Sequence, residues 1–495
     1  MTHPLSALAL GLALLAGPAF GQDHAASNQI VVGMQLEPPH LDPTAGAAAA
    51  IDEVVYANVF EGLTRIGPDG RVGPGLAESW EEAPDGLSWV FHLRPGVTFH
   101  DGVAFTAEDV VFSFDRARGE GSVNAQKQLF DGINEVTAID DATVEIGLDA
   151  PKGDLLFNLA WGDAVIVSPA TAEANKTHPV GTGPFEFSSW VQGDRIELVR
   201  NPDYWGEPAK LDKVTFKFIS DPTAAFAAMM AGDVDAFPVF PAPENLAQFQ
   251  ADPRFSVIVG TTEGETILAM NNARPPFDDI RVRRAVAKAI DRRAIVDGAM
   301  FGYGTPIGSH FAPHHPAYVD LTGENAYDPE GAKALLAAAG HPDGFQTTLA
   351  LPPPPYARRG GEIVQAQLRA VGIDAQIVNM EWAQWLEQVF TNKDFGMTIV
   401  SHTEPMDIGI YARPDYYFGS HDPVMVALVA GLAGMSDEAD RNAVLGAMQE
   451  RVAEQSAAVF LFQLAKTGVA DARLRGLWEN APIQADDMTG VHWQK

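Results

Sequence analysis

Apolar and polar positions change their period several times along this chain, and each change marks an element. "IVVG" (30–33) is an unbroken apolar run fit for a buried strand. The prolines of "LEPPHLDPTAG" stop it. In "ESWEEAPDGLSWVFHLRPGVTFHD" (78–101), Trp89, Phe91 and Leu93 alternate with Ser88, Val90 and His92. Alternation after a "PDG" turn predicts a β-hairpin. Thr106 followed by Asp109 makes a capping box ahead of the apolar helix "AEDVVFSFDRA". "TVEIGL" (143–148), "RIELVRNPDYW" and "KVTFKFI" read as further strands. "SDPTAAFAAMMAGDVDAF" is a helix followed by a short strand. Asp221 can cap its free amides, Pro222 needs no amide partner in the first turn, and Gly232 ends it.

From residue 278 the helical period takes over. "DDIRVRRAVAKAIDRRAIVDGAM" sets Val282, Ala285, Val286, Ala289 and Ile290 on one stripe. "YDPEGAKALLAAAG" is capped by Asp328 and closed by Gly340. "TTLALPPPP" is a strand running into a loop, "GEIVQAQLRAVGI" a helix starting near Gly360 and ending at Gly372, and "AQIVNM" a strand after it. "ETILAMNN" is also strand-like. Strand, helix, strand in this order predicts βαβ units, an α/β fold and a largely parallel sheet.

The length of 495 residues allows two to four domains, at about 100–200 residues each. Residues 5–20, "LSALALGLALLAGPAF", are apolar and uncharged, and small Ala19 and Gly21 suit the −3 and −1 positions of a cleavage site. This pattern predicts a secretory signal peptide over 1–21, with Gln22 starting the mature chain. The run falls below the ~18–20 apolar residues that a membrane span needs. A soluble, exported protein is expected. The formal charge of −32 repels phosphate backbones and anionic lipid heads, so neither nucleic acid nor a membrane surface is expected as a partner. The chain has no cysteine, which excludes disulfides, thiolate metal sites and thiol nucleophiles.

"SHTEPMDIGIYARPDYYFGS" (401–420) crowds a histidine, acids, an arginine and tyrosines among turn formers. It suits a catalytic site, a metal site or a ligand clamp. The histidines weighed for a metal are His402, His421 and the pair His314–His315, with no HExxH or HxH pattern. His402 with Glu404 still suits a metal complex. "GTGPF" (181–185) lacks the P-loop lysine and the third dinucleotide glycine, so it reads as a tight turn. There is no GxSxG. Trp382 and Trp385 lie three apart on one helix face, for core packing or ligand stacking. No catalytic constellation emerges, which points to binding.

Four blocks resemble the peptide/nickel class of ABC-transporter solute-binding proteins. They are "PGLAESWEEAPDGLSWVFHLRPGVTFHDGVAFTAEDVVFSFDRA", "HPVGTGPFEFSSW", "LVRNPDYWGEPAKLDKVTFKFISDPTAAFAAMMAGDVDAFP" and "MNNARPPFDDIRVRRAVAKAIDRRAIVDGAMFGYGTPIG". They lie in family order. The resemblance implies a bilobal periplasmic-binding-protein fold of type II, with mixed sheets flanked by helices and an extra inserted domain. Carried onto this chain, lobe one is 22–58, 179–265 and 463–495, the insert 59–178 and lobe two 266–462. It also implies a periplasmic, monomeric, non-enzymatic subunit of an ABC importer that hands its ligand to a membrane permease. In peptide-binding members an aspartate holds the ligand's α-ammonium. Asp407 is the match here, with Glu404 second. Dipeptide binders place an arginine for the ligand carboxylate where this chain reads "LPPPPYARRGGE", which leaves Arg358 or Arg359 as substitutes. The expected binding residues are Asp407, Glu404, His402, Trp382, Trp385, Asn271, Arg358 and Tyr411. No metal and no cofactor are expected. The expected ligand is a peptide or an amine-bearing, peptide-like molecule; a metal chelate, an opine or an oligosaccharide are alternatives, and an exported hydrolase a remote one.

Overall fold

The computed structural model describes residues 24–46, 48–403 and 406–494. The expected signal peptide and Glu404 lie outside them. Among the described residues eleven strands form one mixed sheet. Its order is Ile373–Asn379, Phe345–Leu351, Met397–His402, Phe255–Met270, Ala458–Asp471, Ala236–Phe237, Gln29–Met34, Lys213–Phe218, Arg195–Arg200 and Phe185–Val191, with Thr305–Pro306 beside Ala458–Asp471. Parallel pairing holds between Phe345–Leu351 and Ile373–Asn379 and between Gln29–Met34 and Lys213–Phe218. The centre is antiparallel instead. The expectation of a largely parallel sheet is therefore corrected: Phe255–Met270 and Ala458–Asp471 are long partners that carry the sheet from one half to the other. Only the end of the first, "ETILAM", was legible as a strand, because Gly260 and Gly264 interrupt the pattern before it. A Cβ on Gly260 would stand 2.0 Å from the Glu479 carbonyl oxygen, so the close approach of these segments requires glycine there. The ladder slips register between Thr261 and Glu265, and again between Thr266 and Ile267.

Beyond that slip the strand is buried on both faces. Leu268 and Met270 enter a core with Val286, Ile295, Leu349, Val364 and Ile399. Ile267 and Ala269, pointing the other way, enter a core with Trp385, Val400, Tyr411, Tyr417 and Phe460. A period of two between two buried layers explains the continuous apolar run. In the other half, Ile30, Val32, Phe60, Phe185 and Phe216 share a core with Ile483, Val491 and Trp493. Trp493 Nε1 donates to the Gln29 carbonyl oxygen at 2.8 Å, so residues far apart in sequence close this core together. A separate antiparallel sheet, Ala77–Glu82, Ser88–Leu93, Thr143–Leu148 and Ile133–Asp140, packs Phe91, Val144 and Ile146 against Phe114 of helix Ala107–Arg118.

The caps act where the residues place them. Thr106 and Asp109 exchange both bonds of the capping box. Asp221 accepts from the Ala224 amide at 2.7 Å, and Gly232 takes a φ of 77°. The stripe after residue 278 is split into Ile280–Ala289 and Arg292–Ala299, because Asp291 caps the second helix through the Ala294 amide. Helix Pro355–Ala370 starts five residues before Gly360, since prolines suit a first turn. Arg358 and Arg359 are thus helical, not in a loop. Among the described residues no helix is long and apolar enough to cross a membrane.

Candidate ligand-binding site

The strand Met397–His402 pairs with the end of Phe255–Met270 so that His402 stands opposite Glu265. Directly opposed residues share a face of the sheet, which brings these two side chains together. Glu265 is also where the register slips against Gln463. Met406 takes a left-handed φ of 67°, and the short 3-10 helix Asp407–Ala412 follows it. His310 approaches from the loop that follows Thr305–Pro306.

The four side chains form one cluster. His310 Nδ1 lies 3.1 Å from Glu265 Oε1, and His310 Nε2 lies 2.6 Å from Asp407 Oδ1. His402 Nδ1 lies 3.6 Å from Asp407 Oδ2 and 4.0 Å from Glu265 Oε1. Glu265, His310 and His402 are buried, whereas the Asp407 side chain keeps 19% exposure. Burial alone would raise the Asp407 carboxyl, but His310 and His402 outweigh it and hold the group well below the usual carboxylate range. His402 Nε2 meets the Tyr417 hydroxyl at 3.2 Å. The Tyr411 ring stands edge-on to His310, centroids 5.7 Å apart. Burial pushes both the Tyr411 and the Tyr417 phenols upward, followed by Glu265 at Tyr411 and by Tyr416, then Glu265, at Tyr417. Next to this cluster His315 stacks on Phe311 at 4.3 Å, and burial followed by His314 and His310 depresses it to about 3. His314 faces Glu263 and Thr261. The arrangement can receive a positive group. One donor atom each from Glu265, His310 and Asp407 falls within a 4.8 Å span, close enough to hold a metal ion.

Three of the expected residues meet here: Asp407, His402 and Tyr411. Glu404 is outside the described residues; the remaining four lie elsewhere or serve the fold. Trp385 is buried and donates its Nε1 to Thr398 Oγ1 at 2.9 Å. Trp382 is 41% exposed and stands edge-on to Trp385. Asn271 is buried, with its amide on the Lys393 and Phe395 carbonyl oxygens. Arg358 pairs with Glu381 at 3.0 Å and reaches the Met380 carbonyl oxygen. His310 and Glu265 were missed. Their signals were faint: an acid at the mouth of the apolar run "ETILAM", and one more histidine ahead of the pair His314–His315.

The family model for bacterial extracellular solute-binding proteins, family 5 (middle), matches residues 71–420. The chain belongs to this family, and its fold is the α/β periplasmic-binding-protein fold. Heme-binding protein A of Haemophilus influenzae is 32% identical over 345 residues, 63% of this chain and 63% of that protein. The dipeptide-binding protein of Escherichia coli K12 is 33% identical over 354 residues, 64% of this chain and 65% of that one. The chain thus spans less than two thirds of the length of these two relatives. The structure of HbpA2 from Haemophilus parasuis superimposes with a TM-score of 0.86 at 26% identity, covering 94% of this chain and 100% of that one.

Proposed function

We propose that this chain is the extracytoplasmic solute-binding subunit of an ABC importer. It captures a peptide or an amine-bearing, peptide-like molecule between two lobes and presents it to a membrane permease. Lobe one comprises 22–58, 179–265 and 463–495, the insert 59–178, and lobe two 266–462. Two strands, Phe255–Met270 and Ala458–Asp471, cross between the halves, and their register slips at Glu265, where a hinge would flex. The separate cores on either side support this division.

One observation carries the reading. At that slip stands a partly exposed carboxylate, Asp407, whose ion-pair partners among the described residues are histidines rather than a fixed lysine or arginine. An ammonium gripped there in a closed, dry cleft would be held more strongly than in water. Grip by both lobes selects the closed state, which the permease would read. The family membership and the relatives named as binding proteins support binding over catalysis.

Native mass spectrometry of freshly purified protein should find one small molecule per chain. Small-angle scattering should show a smaller radius of gyration with that molecule than without it. An unchanged radius with a bound molecule removes closure from the proposal. N-terminal sequencing should begin at Gln22.

A further inference from the structure

We propose that the insert 59–178 is a latch, which fastens the closed state from outside the cleft by docking its loop 151–154 on lobe two. This rests on the division into lobes and insert made above. The Gly153 amide donates to the Ala433 carbonyl oxygen at 2.9 Å. Ala433 closes helix Pro423–Leu432, and the last carbonyls of a helix have no partner inside it. At the same helix end, Arg441 Nη1 donates to the Met435 carbonyl oxygen at 2.8 Å and to that of Leu432 at 3.4 Å. The insert and the guanidinium thus share one helix terminus, where donors and positive charge are favoured. Burial lowers the Arg441 guanidinium from its ordinary value, and Asp154 of the docked loop pulls it back.

The fit is close. A Cβ on Gly153 would overlap the Met435 carbonyl oxygen and crowd Arg441 Nη1, so only glycine lets the loop seat. Pro151 lies alongside, in ordinary contact with the chain at Gly434. The loop is rooted in its own domain. Lys152 Nζ donates to the Asp131 carbonyl oxygen at 2.9 Å. Leu155 and Leu159, just behind the loop, are buried with Phe91 and Ile146.

The contact is also built to part. Ile66, Ala160 and Val165 of the insert share a core with Ile30 and Phe216 of lobe one. Among the described residues no apolar cluster joins the insert to lobe two. The insert therefore rides with lobe one. It meets lobe two at 151–154 through hydrogen bonds that water can replace at small net cost. A second approach, Gly70 against Pro316 and His314, lies beside the bonds of His314 to Thr261 and Glu263 on the crossing strand. A point beside a hinge moves little, so the contact that parts on opening is the one at 151–154. A contact made only in the closed state raises the share of closed chains, and with it the apparent affinity for solute.

The chain has no cysteine, so a pair placed at this contact reports on it alone. A Cβ on Gly434 would stand 3.7 Å from the Pro151 Cβ. A disulfide spans about 3.5–4.5 Å between Cβ atoms. The test uses the whole mature chain carrying Pro151→Cys and Gly434→Cys. Oxidation with copper-phenanthroline should form the bond within each chain, read by mass and peptide mapping. Small-angle scattering should give the oxidised, unliganded chain a smaller radius of gyration than the reduced one. Adding Gly153→Val overpacks the contact and should slow cross-linking about tenfold or more. Gly121→Ala, in open space on the same insert, should leave the rate unchanged. If Gly153→Val does not fold, the cysteine pair alone decides the matter. Failure to cross-link, equal radii before and after oxidation, or an unchanged rate with Gly153→Val overturns the latch. Finding no bound small molecule by native mass spectrometry counts against the solute reading alone and leaves the latch standing.

Discussion

Two carboxylates in this molecule, Glu61 buried and Asp407 partly exposed, live in opposite circumstances. Glu61 accepts from the Thr182 hydroxyl at 2.9 Å, the Tyr204 hydroxyl at 2.8 Å and Trp205 Nε1 at 2.8 Å. Burial pushes its carboxyl upward, and these three donors pull against it. Both of its oxygens accept from side chains that the fold holds in place. Asp407 is paired with the side chains of His310 and His402, which a ligand could displace, and it keeps an exposed edge. A carboxylate tied by fixed donors stabilises a fold; one held by exchangeable partners can be handed to a ligand. The comparison assigns function by the chemistry of the partners, not by burial.

The comparison breaks most directly at Asp407. Asp407→Asn should lower affinity for the co-purified solute by two to four decades, about 3–5 kcal/mol. Calorimetry reads this, and urea unfolding of the unliganded chain should change by under about 2 kcal/mol. Unchanged affinity with a clearly lowered stability would make Asp407 a structural residue like Glu61. The mirror experiment is Glu61→Ala. It leaves three buried donors unpaired and should cost about 3 kcal/mol or more of unfolding free energy, with solute affinity unchanged.

Acid sharpens the contrast. The depressed Asp407 carboxyl contributes stability that is fully present above its unfolded value of about 4. That contribution is lost as pH falls toward the folded value, far into acid. The stability difference between wild type and Asp407→Asn should therefore stay level from pH 8 to 5 and shrink below about pH 4. Glu61 has the opposite sign: its raised carboxyl makes its contribution less favourable as pH rises past about 4.5. The smallest effect expected is from Trp205→Phe, which removes one donor to Glu61. It should cost about 1 kcal/mol in urea unfolding and nothing in binding.

The local parts of this architecture were legible because their causes are local. Asp221, Asp328 and the Thr106–Asp109 box cap the helices they precede, since a cap needs only a few neighbouring residues. The break at Asp291 was hidden inside a stripe whose apolar positions run on without interruption. The crossing strand was half legible, because Gly260 and Gly264 serve a close approach of distant segments, which no window of sequence displays. The site divides the same way. Asp407 and His402 came from one short stretch read through a family resemblance. His310 and Glu265 join them only because strand register and a distant loop bring them there. Asn271 and Trp385 were credited with ligand contact, but their polar atoms are spent on Lys393, Phe395 and Thr398. Polar groups in a buried layer need partners whether or not a ligand exists.

The core that joins Ile30 and Val32 to Val491 and Trp493 has a consequence for the order in which this protein is made. A ribosome releases Gln29–Met34 hundreds of residues before it releases the tryptophan that hydrogen-bonds to Gln29. Until then Asn58 also lacks the Asp486 carbonyl oxygen and the Met488 amide that satisfy its side chain. The first half therefore cannot complete its core while translation is under way, and the growing chain stays open to whatever handles unfolded polypeptides.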